Sequence, residues 1–120
     1  MKRIEFGEPN LRPIKRVAKY ELHGVAFIEG HEEPVGFIFE YYAKTVSLKM
    51  DALYQANELY KFFNDLFKNY ALKHSGLSKS YLTLLSDWQM DENELKKLLE
   101  RISKTMGEAW VKAFSNLVFK

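Results

Sequence analysis

At 120 residues, 47% hydrophobic and 28% charged, the chain is expected to form one soluble domain over residues 1–120, large enough for a core without staples. It contains no cysteine, which excludes disulfides, thiolate metal sites and cysteine nucleophiles and fits a reducing, cytoplasmic setting. A net charge of +2 conceals an asymmetry, because residues 1–20 hold six basic side chains against two acidic ones, whereas residues 21–60 hold two against seven.

The N-terminus, MKRIEFGEPNLRP, has no apolar h-region and does not read as a secretory signal. No run of about 18 apolar residues marks a membrane span. Gly7, Pro9 and Pro13 make residues 1–15 an irregular basic arm, in which Ile4 and Phe6 can form a short edge strand or anchor the arm on the core. From Val17 to Glu29 the pattern alternates, with Ala18, Tyr20, Leu22, Gly24, Ala26 and Ile28 on one face, as expected of a strand. Gly30–Pro34 reads as a turn, and Val35 to about Leu48 as a second strand rich in β-branched and aromatic residues.

The two strands are expected to form one long antiparallel hairpin over residues 17–48. A five-residue loop sets Phe27 opposite Phe37, Val25 opposite Phe39 and His23 opposite Tyr41. One face then carries Val25, Phe27, Val35, Phe37, Phe39 and Tyr41, and the other Leu22, Ala26, Ile28, Ile38, Tyr42 and Val46. With both faces apolar, helices can cover only one of them.

Asp51 is a suitable cap for a helix over residues 52–73, whose stripe of Leu53, Ala56, Tyr60, Phe63, Phe67 and Tyr70 is widened by Leu59, Phe62 and Leu66. His74-Ser75-Gly76 ends it. Ser78 or Ser80 can cap a shorter helix carrying Tyr81, Leu82, Leu84, Leu85 and Trp88. Asp91 and Glu94 resemble a capping box that opens a helix running from 92 to near 118, with Leu95, Leu99, Ile102, Met106, Ala109, Ala113 and Leu117 as its apolar stripe and a bend or break allowed at Gly107. The expected class is α+β: a long hairpin packed on two or three helices.

The chemistry-bearing residues are sparse. His23, His31 and His74 lie far apart, so no metal site is expected, and no cofactor fingerprint is present. Glu40, flanked by Phe39 and Tyr41 and set opposite Gly24 in that register, is the one candidate for a shielded acid; an ion pair at the sheet's rim is the plainer account. The helix stripe can line a cavity for an apolar ligand, but ordinary core explains it as well. Arg12, Lys15, Arg16 and Lys19 in the arm, with Lys73, Lys79, Lys96, Lys97 and Lys104, suit phosphate contacts, whereas the acidic hairpin repels them. The favoured expectation is a non-enzymatic protein-interaction module, a homodimer or a binder of another protein through Val25, Phe27, Val35, Phe37, Phe39 and Tyr41. A nucleic-acid-binding regulator using the arm and the helix lysines is the alternative.

Overall fold

In the computed structural model, residues 3–17, 19–42, 45–50, 57–67, 71–72, 81–84 and 92–118 are described. They form β1 (Ile4–Phe6), β2 (Asn10–Ile14), a 3-10 turn (Lys15–Val17), β3 (Lys19–Ile28), β4 (Val35–Tyr42) and β5 (Thr45–Met50). Then follow α1 (Asn57–Leu66), β6 (Ala71–Leu72), β7 (Tyr81–Leu84), α2 (Glu92–Met106) and α3 (Glu108–Val118). All the strands join one antiparallel sheet in the order β1-β3-β4-β5-β7-β6, with β2 also alongside β3. The fold is α+β, as the segregation of strand and helix signals implied.

The segment expected to be an irregular arm is ordered on the sheet. β1 pairs with the far end of β3, Ile4 opposite Ile28, and β2 pairs with its near end, Asn10 opposite His23. Pro13 is tolerated because β2 is an edge strand, where a missing N–H breaks no inner ladder. The long second strand is divided: Tyr42 pairs with Thr45, so the chain reverses between β4 and β5 and forms a second hairpin. The unbroken run of strand formers hid this reversal, since Ala43 and Lys44 are not turn residues by type.

The β3–β4 register differs from the expected one. Ala26 lies opposite Val35, Gly24 opposite Phe37, Leu22 opposite Phe39 and Tyr20 opposite Tyr41. The offset is three residues. An odd offset exchanges the two faces of one strand relative to the other. A turn at Gly30 (φ +87°), where the His31 N–H donates to the Ile28 carbonyl at 2.9 Å, sets this alignment. Its consequence is energetic. Leu22, Ala26, Ile28, Val35, Phe37 and Phe39, all at most 4% exposed, now share a single face. Burying each large side chain contributes about 1.5–3 kcal/mol, so this register gathers what the expected one would have split.

The helices cover that face. On α1, Leu59, Phe63 and Leu66 are buried, as is Phe67 just beyond it. Residues 51–56, 68–70 and 73–80 lie outside the described residues, including the proposed caps at Asp51, Ser78 and Ser80 and the 74–76 stop. Ala71–Leu72 is strand, so the helix does not extend to residue 73. Tyr81–Leu84, expected in a short helix, is also strand, because it completes the ladder beside β5 with Leu82 opposite Leu48. The last helix breaks in two at Gly107 (φ +104°), whose N–H donates to the carbonyls of Ile102 and Ser103 at 3.1 Å each. That is a C-terminal glycine cap. The Gly107 carbonyl in turn accepts the Trp110 and Val111 N–H groups and opens α3. The break turns Trp110, Phe114 and Leu117 of α3 onto the sheet beside Leu98 and Ile102 of α2.

Candidate interaction surface

The inner face is an aromatic core. The Phe37 ring lies 5.1 Å from Phe63, 5.3 Å from Trp110 and 5.9 Å from Phe6, centroid to centroid. Phe39 sits 5.6 Å from Phe63 and 5.7 Å from Phe114. These separations are those of favourable aromatic pairs. Gly24 makes the arrangement possible, because a Cβ there would stand 2.4 Å from Trp110 Cη2 and 2.6 Å from Phe37 Cζ. The Trp110 indole N–H donates to the Gly7 carbonyl at 2.9 Å.

Val35, Phe37 and Phe39 are therefore enclosed by the chain's own helices and offer no surface to a partner. Tyr41 is half-buried on the same inner side, its ring 6.4 Å from Tyr20. Of the six residues expected to form one contact face, only Val25 and Phe27 lie on the outer side. The error is the three-residue register offset. Phe6, expected as an anchor, is one: it packs on Phe37, Phe62 and Phe63.

Residues alternate across the pleat. The outer face therefore carries Glu5 on β1; Asn10, Arg12 and Ile14 on β2; Lys19, Glu21, His23, Val25 and Phe27 on β3; Gly36, Ile38, Glu40 and Tyr42 on β4; and Ser47 and Lys49 on β5. Its centre is a chain of ion pairs. Lys19 Nζ lies 3.2 Å from Glu21 and 3.1 Å from Glu40, and Lys49 Nζ lies 3.0 Å from Glu40. His23 Nε2 and Glu21 Oε1 are 3.0 Å apart. The His23 ring, and then the Lys19 ammonium, hold the Glu21 carboxyl below the usual range. Hydrogen bonds to Glu40 and Glu21 raise the Lys19 ammonium above its ordinary value.

Glu40 thus faces Glu21 rather than Gly24, and two ammonium groups clamp it: it is an ion-paired acid. His31 lies 3.7 Å from Glu58 of α1, and among the described residues no three histidine or acidic groups converge as metal ligands. In the basic segment, Lys19 is engaged in the ion-pair chain, while Arg12, Lys15 and Arg16 are exposed. With its amide oxygen turned towards Arg12, Asn10 accepts from the guanidinium Nε and Nη2 at 3.1 and 3.2 Å. Lys96, Lys97 and Lys104 are exposed on α2, and Lys73 and Lys79 lie outside the described residues.

Beside the ion pairs the face changes character. Phe27 is 50% exposed, among the described residues one of the three large apolar side chains that project most into solvent, with Tyr42 (51%) and Val17 (48%). Two positions away across the pleat, a Cβ built on Gly36 would meet nothing within 4 Å. The bare backbone there is part of a hollow of about 590 Å³, walled by Val25, Ile38, His23, Asn10, Arg12 and Lys49. Sequence reasoning missed this hollow and the Trp110 contact. The one available signal was a glycine inside an aromatic strand at Gly36, which marks either close packing or open space without saying which.

Against models of protein families, curated proteins and solved structures, the chain matches none. Among the described residues, no helix is long and apolar enough to cross a membrane.

Proposed function

We propose that the protein is a non-enzymatic interaction module that associates with a second copy of itself through the outer face of its sheet. The observation that carries this reading is the exposed Phe27, with Val25 and Ile38 further along the same face, a face that the described helices do not cover. Aromatic residues set among polar ones are the usual anchors of protein contacts. The charges of the face support a protein partner over nucleic acid. Glu21 and Glu40 occupy its centre and hold Lys19 and Lys49 in ion pairs, so these ammonium groups are engaged with carboxylates rather than open to phosphate. The same pairing supports binding over catalysis, because the candidate acid Glu40 is held by two ammonium groups. Its mixture of signs lets two copies face each other without a large repulsion.

The test is sedimentation velocity over a wide concentration range. The wild type is expected to shift from monomer to dimer as concentration rises. Ile38→Glu, which adds a charge at the centre of the face while leaving the inner core alone, is expected to stay monomeric with unchanged circular dichroism. A wild type that remains monomeric at every concentration overturns the reading.

A further inference from the structure

Resting on that self-association, we infer that the contact is a reciprocal knob and hole: Phe27 of each copy enters the hollow over Gly36 of the other. Both features lie on the outer face. Val25 is directly opposite Gly36, and Phe27 is two residues further along β3, so Phe27 and Gly36 are diagonal neighbours, roughly 7–8 Å apart. A two-fold axis requires a patch complementary to itself, in which residue i meets j and j meets i. A projecting ring and a side-chain-free hollow this close together satisfy that requirement in one step. An axis passing between them lays each ring over the other copy's bare backbone.

The hollow suits this occupant. Its volume of about 590 Å³ admits a phenyl ring, and Val25 and Ile38 offer it apolar contact. Arg12, exposed and held by Asn10, stands at the wall where a guanidinium can meet the ring of the incoming Phe27. No positive φ constrains Gly36, so its lack of a side chain answers no backbone demand there. The ion-pair chain of Lys19, Glu21, Glu40 and Lys49 lies beside this contact and remains satisfied within each copy.

The experiment measures the dimer dissociation constant of four proteins, the wild type and the Gly36→Phe, Phe27→Ala and Ile38→Glu variants, and of one mixture. Gly36→Phe places a ring in the hollow, where an added Cβ meets nothing within 4 Å and a phenylalanine favours a strand. It is expected to match or exceed the wild type in thermal stability and yet weaken the dimer at least about tenfold. Phe27→Ala removes the ring and is expected to weaken the dimer by about the same factor. Mixed together, the two variants are expected to regain association, because the Gly36→Phe copy still has its own Phe27 to place in an empty hollow, while its filled site faces an alanine. A Gly36→Phe protein that dimerises as tightly as the wild type, while Ile38→Glu is monomeric, overturns the knob and hole and leaves the outer-face contact standing. A mixture that does not exceed its separate components also overturns the knob and hole. A wild type monomeric throughout, or an Ile38→Glu variant that still dimerises, removes the outer-face reading itself.

Discussion

Gly24 and Gly36 lie on adjacent rungs of one hairpin ladder but on opposite faces of the sheet, and adding a methyl group at each should have opposite effects. In Gly24→Ala the new Cβ would stand 2.4 Å from Trp110 Cη2, 2.6 Å from Trp110 Cζ2 and 2.6 Å from Phe37 Cζ. Carbon atoms settle at about 3.5–4.0 Å, so both rings must retreat by about 1 Å. Neither has room, for each is 2% exposed and packed among other rings. Such overpacking costs about 1–3 kcal/mol. Moving Trp110 also strains its bond to the Gly7 carbonyl, worth about 1 kcal/mol more. Against this, alanine restricts the unfolded chain and returns about 0.4–1 kcal/mol. The net expectation is a loss of about 2–3 kcal/mol, or a fall in Tm of about 10 °C for a domain of this size. Gly36→Ala meets no neighbour and keeps only the favourable term, so it should be neutral or slightly stabilising. Urea titrations followed by circular dichroism, with the two variants run beside the wild type, read both. A Gly24→Ala loss below about 0.5 kcal/mol, or one equal to that of Gly36→Ala, would refute the placement of Trp110 over Gly24.

Gly107→Ala forces a side chain into φ +104° and should cost about 1–3 kcal/mol by thermal melting, despite open space around the position. Trp110→Phe keeps most of the ring but leaves the Gly7 carbonyl without its donor. A loss of about 1–2 kcal/mol in chemical denaturation is expected. Glu21 has a folded-state pKa below its ordinary value, so its contribution is present above about pH 4.5 and disappears as pH falls through the lowered value. Glu21→Gln should therefore cost about 0.5 kcal/mol at neutral pH, kept small by solvent screening, and nothing at acid pH; the wild-type minus variant difference in denaturation midpoint across pH measures this. Lys19 has the opposite sign: its raised value makes its contribution complete below pH 10.5 and lost as pH climbs through the folded-state value.

Local signals in the sequence translated well, and those that depend on distant partners did not. The alternation of Leu22, Ala26 and Ile28 gave a strand with these residues on one face, and that face is buried. The α1 stripe of Leu59, Phe63, Leu66 and Phe67 was visible from spacing alone, and Gly107 marked a break because its cost inside a helix is intrinsic. Register was not visible. It depends on how far the turn reaches beyond Ile28, and a three-residue error there made both hairpin faces seem apolar. Tyr81–Leu84 carries residues compatible with either state, and the free ladder of β5 decides it. In α2 and α3, Ile102 and Leu117 of the expected stripe are buried, whereas its Leu99, Ala109 and Ala113 lie one position away from the buried Leu98, Trp110 and Phe114. The glycine-capped break re-aims the second half, so one continuous period could not describe both.

The bond from Trp110 to the Gly7 carbonyl joins groups 103 residues apart in the chain. During synthesis β1 and β3 are made well before α3. Until α3 is made, Phe37 and Phe39 lack the rings of Trp110 and Phe114 that cover them, and Gly24 faces an empty groove. A nascent chain that has not yet made α3 therefore carries exposed aromatic strands, a state open to chaperones and to mispairing of its strand edges. Closure of this core waits on α3, and mutations at Trp110 should act chiefly by speeding unfolding rather than by slowing the first steps of folding.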